Sequence, residues 1–233
     1  MNWGRLIINY PDPKIKFTIG DVYSPSDDSY LIIDYLKDHI TRTHFDSLRI
    51  ENVNNILDMG TGSGIVAIFL LSVKKINQNF SANIYASDID QNAIDSAKAN
   101  EKSNGFNNRI KYIHSDLFKS FPPDLKHGFD IIFFNPPYLP SIVSDRNLKR
   151  NSSQDYTWDG GEKGFEIILN FVKEAKKFLR KENRSYIYYV CSSKTNLLQL
   201  YERISQLGFK NKIVNKNHIF FEDLFLNRLE KNF

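Results

Sequence analysis

An Asn-Pro-Pro-Tyr tetrapeptide, residues 135–138, directly follows a continuous apolar stretch. Two prolines fix the backbone φ angle and remove two N–H donors, so Pro136 and Pro137 predict a rigid turn. Such a turn can hold the side-chain amide of Asn135 and the carbonyl oxygens of Asn135 and Pro136 in one orientation. Those oxygens can accept both hydrogens of a planar –NH2 group, and Tyr138 can stack on it and favour developing positive charge. The tetrapeptide therefore predicts chemistry on a planar amine or amide nitrogen.

A glycine-rich loop, Gly60-Thr61-Gly62-Ser63-Gly64, follows the short apolar stretch 55–58. Glycines in such a loop let the backbone approach a ligand, and the start of the next helix offers free N–H groups. The dinucleotide pattern Gly-x-Gly-x-x-Gly is not met, because Ile65 stands where its last glycine belongs. A carboxylate at Asp58 would repel a pyrophosphate but favour a cationic amino group. The loop therefore indicates a ligand with an amino-acid end rather than a dinucleotide.

Two further acids, Asp88 and Asp116, follow the next two apolar stretches of the chain. In an open α/β sheet, ligands bind beyond the carboxyl ends of the strands. There Asp88 can accept hydrogen bonds from both hydroxyls of a ribose, and Asp116 can accept one from an adenine amino group. Adenine, ribose and a cationic amino-acid tail, without phosphates, are the parts of S-adenosylmethionine. The three aspartates together therefore predict this cofactor.

Alternating hydrophobic periods predict the elements that must position these side chains. Apolar runs predict strands over 55–58, 82–87, 109–114, 129–134, 186–191, 209–214 and 218–226. Helical spacing predicts helices after Ser26 and over 65–75, 91–103, 162–180 and 195–207. Strands that alternate with helices favour a parallel sheet with right-handed crossovers, and the last two strands are close enough to form a hairpin. We therefore expect an α/β fold with a mostly parallel seven-stranded sheet, an antiparallel last strand and helices on both faces.

Length and composition exclude several classes of protein. The chain has 233 residues, 31 Lys and Arg against 27 Asp and Glu, a net charge of +4 and one cysteine. We expect a single domain, 1–233, with an N-terminal segment and first helix over 1–45 and a catalytic core over 46–233. One cysteine excludes an internal disulfide, and no Cys/His cluster has zinc spacing, so we expect no metal site. The longest apolar run, 65–71, is far shorter than the roughly 20 residues of a membrane span, so we expect a cytoplasmic protein without membrane contact.

Together these motifs resemble the class I S-adenosylmethionine-dependent amino-methyltransferases with an Asn-Pro-Pro-Tyr motif. Among them the sequence is most similar to the HemK/PrmC-type protein-glutamine methyltransferases of the archaeal–eukaryotic branch. That branch has a Tyr-x-Pro-x-x-Asp-Ser/Thr stretch before its first helix, matched here by residues 23–29, with Ser29 where Thr is common. Its Gly-Gly-x-x-Gly stretch is matched by Gly160, Gly161 and Gly164. The resemblance extends from about residue 20 to residue 208 and implies a Rossmann-like class I methyltransferase sheet.

The resemblance also implies site residues, a substrate and a partner. The cofactor-binding residues that it implies are Tyr23, Ser29, Asp58, Gly60, Gly62, Gly64, Asp88, Ile89, Asp116, Leu117 and Asn135. The catalytic residues that it implies are Asn135, Pro136, Pro137 and Tyr138. The implied substrate is the glutamine of the Gly-Gly-Gln loop of a peptide-chain release factor. Members of the branch also work with a small zinc-binding activator subunit, which would pair with a free edge of the sheet.

The acceptor stays open at this stage. The same tetrapeptide suits any planar amine, so the alternative is an RNA or DNA amino-methyltransferase that acts on adenine N6 or guanine N2. The modest net charge and the lack of an appended recognition domain argue against nucleic acid. A lysine amine is not planar and would fit the tetrapeptide poorly, whereas a cofactor-binding protein without catalysis would not need it. The long polar stretch 141–162, which directly follows the tetrapeptide, is our candidate substrate-recognition loop.

Overall fold

The fold is described from a computed structural model, which covers residues 8–20, 22–140, 160–182 and 184–232. Its strands are β1 (His44–Phe45), β2 (Leu48–Arg49), β3 (Asn55–Met59), β4 (Asn83–Asp88), β5 (Ile110–His114), β6 (Ile131–Phe134), β7 (Tyr186–Ser192), β8 (Phe209–Ile219) and β9 (Glu222–Lys231). Its helices are α1 (Asp27–His39), α2 (Ile65–Ile76), α3 (Gln91–Ser103), α4 (Glu166–Ala175) and α5 (Leu197–Gln206). Strands and helices thus alternate along most of the chain, as the hydrophobic periods predict.

Seven of the strands form one sheet with the order β5-β4-β3-β6-β7-β9-β8, while β1 and β2 form a separate small hairpin. The pairs β5/β4, β4/β3, β3/β6 and β6/β7 are parallel. β9 is antiparallel to both of its neighbours, β7 and β8. The expected seven-stranded, mostly parallel sheet with an antiparallel last strand is therefore confirmed.

The hydrophobic core lies on both faces of this sheet, and β6 shows why. All four of its side chains are buried, which is typical of a central parallel strand. Ile131 and Phe133 pack in the cluster with α1 and α2. Ile132 and Phe134, which point to the other face, pack in the cluster with α4 and α5. Burial on both faces explains the uninterrupted apolar run that precedes the tetrapeptide.

The register brings the predicted site residues to one edge. Met59, the last residue of β3, pairs with Ser87 of β4 on one side and with Phe134 of β6 on the other. The three strands therefore end level with one another. As a result Asp58, Asp88 and Asn135 come from neighbouring strand ends at the carboxyl edge of the sheet.

The predicted helix over 162–180 is wrong in its bounds. Gly164 has a φ of 76°, and α4 begins only at Glu166. At the other end the helix stops at Ala175, and the backbone N–H of Arg180 donates to the carbonyl of Phe129 at 2.8 Å. This contact to the start of the β6 segment needs an extended chain, whereas residues 178 and 179 remain buried as the periodicity indicates.

The predicted turn of the C-terminal hairpin is also misplaced. We expected strands over 209–214 and 218–226, but β8 continues to Ile219 and β9 starts at Glu222. An irregularity between Ile213 and Asn215 lets the ladder of β8 and β9 continue past the predicted turn. The turn is therefore formed by Phe220 and Phe221, two residue types that turn propensities disfavour.

The part of the chain that the structure describes lacks two kinds of feature. No helix there is long and apolar enough to cross a membrane. Over the same residues, no group of three or more His, Cys, Asp or Glu side chains could hold a metal ion.

Candidate functional site

A cleft of about 1150 Å³ opens at the carboxyl edge of the sheet. The predicted site residues that line it are Tyr23, Ser29, Asp58, Gly60, Gly62, Asp88, Ile89, Asp116, Leu117, Asn135, Pro136 and Pro137. Gly64 and Tyr138 are not part of its lining. The structure thus gathers residues from the N-terminal segment, four strand ends and the tetrapeptide around one cavity.

The three glycines of the loop have different reasons to be glycine. Gly60 has a φ of 63°, and a Cβ atom there would lie 3.0 Å from the Phe134 ring. Gly62 has a φ of 52° and borders the cleft. Gly64 has a φ of 85°, and a Cβ atom there would lie 2.9 Å from that of Ala97 in α3. Gly60 and Gly62 therefore shape the cleft, while Gly64 lets α2 and α3 approach each other.

Asp58 is a buried carboxylate at the floor of the cleft. Its Oδ2 accepts hydrogen bonds from Thr61 Oγ1 at 2.7 Å and from the backbone N–H of Ala67 at 3.3 Å. Burial, together with the nearby Asp88 charge, raises the pKa of Asp58 to about 7 despite these bonds. No Lys or Arg of the described ranges forms an ion pair with it. A buried acid without a countercharge is a suitable site for a cationic ligand group.

Asp88 and Asp116 occupy different environments. Asp88 Oδ2 accepts from the backbone N–H of Gly62 at 2.9 Å, and its Oδ1 accepts from that of Asp90 at 3.0 Å. Burial raises the pKa of Asp88. Asp116 is exposed and pairs with Lys119 at 2.5 Å. Asp88 therefore ties the glycine loop to the end of β4, while Asp116 would have to share its carboxylate between Lys119 and a ligand.

The Asn135 side chain carries an unused acceptor. Its Oδ1 is buried and has no hydrogen-bond partner among the described residues. Leaving a buried acceptor unpaired costs about 1–3 kcal/mol, a cost that a ligand with an N–H donor would remove. Because Asn135 lines the cleft beside the buried Pro136, an N–H donor that enters there and reaches Oδ1 would supply the missing partner.

The tetrapeptide is held from behind by a second glycine segment. A Cβ atom on Gly160 would lie 2.9 Å from the Pro137 carbonyl oxygen and 2.9 Å from Tyr138 Cα. A Cβ atom on Gly164 would lie 2.7 Å from the Tyr138 carbonyl oxygen. The same oxygen accepts a hydrogen bond from Thr195 Oγ1 at 3.0 Å. The Gly-Gly-x-x-Gly stretch is therefore needed for close packing against the tetrapeptide.

Asp28 is a site residue that we did not predict. It is buried, and its Oδ1 accepts from the backbone N–H of Ser29 at 2.6 Å. The hydroxyl of Tyr23 donates to it at 3.3 Å, and that of Tyr138 at 3.4 Å. Burial and the Asp28 charge raise the pKa of Tyr23 to about 12 and also raise that of Tyr138, so both hydroxyls stay protonated donors.

Asp28 connects two parts of the chain at the cleft. It joins the N-terminal segment to the tetrapeptide, which are more than 100 residues apart in sequence. The signal for it was present, because Asp28 is the aspartate of the Tyr-x-Pro-x-x-Asp-Ser stretch. What the stretch alone did not indicate is that its aspartate contacts Tyr138.

Polar side chains on α3 hold the segment that leads to Tyr23. Asn104 Oδ1 accepts from the backbone N–H of Lys14 at 2.8 Å, and Ser96 Oγ accepts from that of Ile19 at 2.8 Å. Between them, Asn100 Oδ1 accepts from residues 16 and 17, each at 2.9 Å. The four-residue spacing places these side chains on one face of the helix. Residues 14–19 are thereby fixed across α3, and Tyr23 is delivered to the cleft.

One sequence prediction lies outside the described residues. The candidate recognition loop, 141–162, falls mostly within 141–159, and its role stays a prediction.

Comparisons with known proteins agree with this geometry. The model of the MTS family, described as "Methyltransferase small domain", matches residues 37–151. A putative protein N5-glutamine methyltransferase of Methanocaldococcus jannaschii is 31% identical over 95% of this chain and 97% of its own length. A tRNA1(Val) (adenine(37)-N6)-methyltransferase of Glaesserella parasuis is 28% identical over 64% of this chain and 57% of its own.

Among solved structures, the fold is similar to that of the E. cuniculi Mtq2-Trm112 complex responsible for methylation of the eRF1 translation termination factor. The TM-score is 0.61 at 20% identity, and the match covers 91% of this chain and 100% of that one. The likeness of the folds, the near full-length match to the Methanocaldococcus protein and the motifs around the cleft agree with one another. The chain is a methyltransferase that belongs to the HemK/PrmC-type family of protein N5-glutamine methyltransferases.

Proposed function

We propose that this protein methylates the side-chain amide nitrogen of the glutamine in the Gly-Gly-Gln loop of a peptide-chain release factor, with S-adenosylmethionine as cofactor. The observation that carries the proposal is the buried, unpartnered Oδ1 of Asn135 on a rigid turn at the cleft. A glutamine amide offers the planar N–H donors that this oxygen lacks. The Methanocaldococcus relative, a putative protein N5-glutamine methyltransferase, supports the glutamine amide as acceptor, and the Mtq2-Trm112 complex, responsible for methylation of eRF1, supports a release factor as its carrier.

The residues of the cleft fit the proposed cofactor. Asp58 is a buried carboxylate without a countercharge and would hold the cationic amino group. Asp88 would hold the ribose, and Asp116 with Leu117 would hold the adenine at the exposed end. When bound, S-adenosylmethionine supplies an activated methyl group. No residue in this proposed set calls for a phosphate, which distinguishes the cleft from a dinucleotide site.

The residues of the chain would orient the acceptor rather than attack anything themselves. Asn135 Oδ1 and the Pro136 carbonyl would accept the two N–H bonds of the glutamine amide. Fixing the nitrogen in this way can supply part of the roughly 7–11 kcal/mol available from proximity and orientation. As positive charge develops on the nitrogen, these oxygens and the Tyr138 ring would stabilise it. The extra proton on the methylated amide then leaves to water or to these oxygens.

A small zinc-binding activator subunit is a further part of the proposal. Within the described residues, β5 and β8 each pair with only one other strand, so each leaves one strand edge open. An open edge can pair with a strand of another chain, and a partner that covers it prevents aggregation. The activator would cover one of these edges in the cytoplasm, where release factors act.

The test is transfer of a labelled methyl group from S-adenosylmethionine to purified release factor. The matched control is the same factor with its loop glutamine replaced by glutamate, and each reaction is run with and without a candidate activator subunit. We expect label in the wild-type factor only. Label in the control factor would place the modification at another residue and contradict the proposal.

An RNA amino-methyltransferase remains the second candidate because one relative is a tRNA adenine-N6 methyltransferase. A planar exocyclic base amine would use the Asn135 acceptor as a glutamine amide does. The same assay therefore includes bulk RNA as an acceptor. Label that appears in RNA and not in the factor would replace the proposed function with this one.

A further inference from the structure

The most exposed large apolar side chains of the described residues are concentrated at the carboxyl edge of the sheet. Phe220 and Phe221, at the turn of the β8/β9 hairpin, are 91% and 92% exposed, and Leu198 near the start of α5 is 82% exposed. Other large apolar side chains of this part of the chain reach at most 56%. Exposed apolar groups that cluster at one place mark interaction sites more often than scattered ones do.

The backbone conformation at Phe220 is also unfavourable for a phenylalanine. Phe220 has a φ of 38°, in the left-handed region where glycine and asparagine are preferred and bulky residues are rare. Its exposed ring has too little contact with the rest of the chain to offset this cost. A polar or small residue would suit both the solvent and the backbone better. The sequence therefore keeps two phenylalanines where folding gives no reason for them.

A chain of contacts connects this turn to the acceptor end of the cleft. The backbone N–H of Ser193 donates a hydrogen bond to the carbonyl oxygen of Asp223 at 2.8 Å. Two residues after Ser193, the hydroxyl of Thr195 donates to the carbonyl oxygen of Tyr138. Burial raises the pKa of Tyr138 most, with further contributions from Asp28, Tyr23 and Glu222, which agrees with this connection. The two phenylalanines directly precede Glu222. They therefore lie at the same carboxyl edge of the sheet as the tetrapeptide, connected to it by these hydrogen bonds.

We propose that Phe220 and Phe221 form a docking tip that binds an apolar surface of the protein substrate next to its Gly-Gly-Gln loop. The proposal rests on the proposed function, because its occupant is the release factor. Aromatic side chains are enriched at the centres of protein interfaces, where they fill apolar pockets of the partner. Asn135 would contact only the glutamine amide, which many proteins carry. The tip would supply the contacts that distinguish one glutamine-bearing protein from another.

The charges around the tip favour a protein over a nucleic acid as the occupant. Lys216 pairs with Asp223 at 2.8 Å, and His218 bonds the same carboxylate at 2.9 Å. Lys194 pairs with Glu222 at 3.7 Å. Lys194 and Lys216 thus each pair with a carboxylate, whereas binding to a phosphate backbone needs cations that are available to it. An aromatic tip set among neutral pairs is typical of an apolar protein contact.

The test compares the double variant F220N/F221S with the wild-type enzyme in the release-factor assay. Asparagine is tolerated at the φ of residue 220, so this variant is expected to keep the wild-type melting temperature and affinity for S-adenosylhomocysteine. The matched control is Ile76→Ser, which removes a 44% exposed apolar side chain at the end of α2, at the opposite edge of the sheet. We expect KM for the factor to rise about tenfold or more in F220N/F221S, with kcat within about twofold of wild type. Ile76→Ser is expected to keep the wild-type KM.

Three results would overturn the docking proposal in distinguishable ways. If wild-type enzyme labels the factor and F220N/F221S has an unchanged KM, the tip does not bind the substrate although the proposed function stands. If F220N/F221S loses methylation of bulk RNA instead, the tip stacks on bases. If wild-type enzyme leaves the factor unlabelled, the proposed function fails and the docking proposal fails with it.

Discussion

The cofactor end and the acceptor end of the cleft differ in whether their ligand-binding polar groups are already hydrogen-bonded within the chain. At the cofactor end, two of the three aspartates already accept hydrogen bonds from the chain near the glycine loop: Asp58 from Thr61 and Ala67, and Asp88 from Gly62 and Asp90. At the acceptor end, the Oδ1 of Asn135 is buried and unpartnered. At the cofactor end, the same carboxylates that would bind the ligand also hold the glycine loop. At the acceptor end, Asn135 Oδ1 is not used in this way, and the tetrapeptide is held by other residues such as Thr195.

This difference predicts how the two ends respond to substitution. A change to a cofactor-end carboxylate removes a ligand contact and also loosens the loop that it anchors. A change to Asn135 removes an acceptor oxygen that no other described residue uses, so we expect little loss of stability. Substitutions at the cofactor end should therefore lower both ligand binding and stability, whereas substitution of Asn135 should lower activity without lowering stability.

Asn135→Ala is the substitution with the largest expected effect. Loss of one preorganised oxygen at the reacting nitrogen should lower kcat by about 10²–10³-fold. The melting temperature should stay equal to wild type or rise, because the variant no longer buries an unpaired amide oxygen. Single-turnover methyl transfer and thermal unfolding measure the two quantities. Equal losses in kcat and in affinity for S-adenosylhomocysteine would show that Asn135 serves the cofactor end instead.

Gly164→Ala tests whether the acceptor end depends on its glycine support. A Cβ atom at Gly164 would lie 2.7 Å from the Tyr138 carbonyl oxygen and 3.0 Å from Pro140 N, so the tetrapeptide must shift. A displacement approaching 1 Å can cost about 10²-fold in kcat. Gly105→Ala is the matched control, because Gly105 has a similar φ of 78° and no heavy atom within 4 Å of its Cβ position.

Both alanines carry the same backbone strain, about 1–2 kcal/mol, but only one of them meets the tetrapeptide. We therefore expect a loss in melting temperature from strain in both variants, larger in Gly164→Ala because of its clash, and a loss of kcat in Gly164→Ala alone. Equal kcat values in the two variants would show that the Gly-Gly-x-x-Gly segment does not position the acceptor end.

Asp88→Ala should weaken cofactor binding while kcat stays close to wild type. It removes the proposed ribose contact and the anchor of the Gly62 N–H, so the Kd for S-adenosylhomocysteine should rise about 10- to 100-fold. At saturating cofactor, kcat should stay close to wild type. Asp88→Asn is the control, because its amide oxygen can still accept from Gly62 while the charge is lost. Isothermal titration of both variants separates the charge from the anchor, and an unaltered Kd in Asp88→Ala would contradict the ribose assignment.

The same comparison explains what the sequence could predict. Motif residues at strand ends, such as Asp58, Asp88 and Asn135, meet at one edge because apolar strands and a parallel topology fix where the ends lie. Local patterns carry that information. The contact of Asp28 with Tyr138 is different, since it depends on how α1 packs against the tetrapeptide, which no local pattern encodes.

The element bounds that were wrong fail for a related reason. Phe178 and Leu179 follow helical spacing, yet the chain leaves the helix to contact Phe129, a choice made by the sheet. Phe220 and Phe221 resemble strand residues and form a turn, because the β8/β9 ladder decides where the chain reverses. In both cases tertiary contacts override a local preference that was correctly recognised.

The smallest expected effect is a pH dependence of cofactor binding. Burial and the Asp88 charge raise the pKa of Asp58 to about 7, so in the ligand-free protein this carboxyl is largely protonated below that pH. A cationic amino group requires the ionised form, and binding must then expel a proton. The Kd for S-adenosylhomocysteine should therefore be constant well above pH 7, start to rise near pH 7, and increase by up to tenfold, about one log unit, for each pH unit below it.

Asp58→Asn provides the control that assigns this slope. The pKa of Asp88 is raised as well, so a wild-type profile alone would not identify the group that titrates. An asparagine cannot ionise, and the variant should bind S-adenosylhomocysteine weakly with a flatter profile between pH 5 and 7, about the range below the Asp58 pKa. A slope that persists in Asp58→Asn would assign the titration to Asp88. The amino group would then be held by something other than the buried carboxylate, and the cofactor end would no longer differ from the acceptor end in the way proposed.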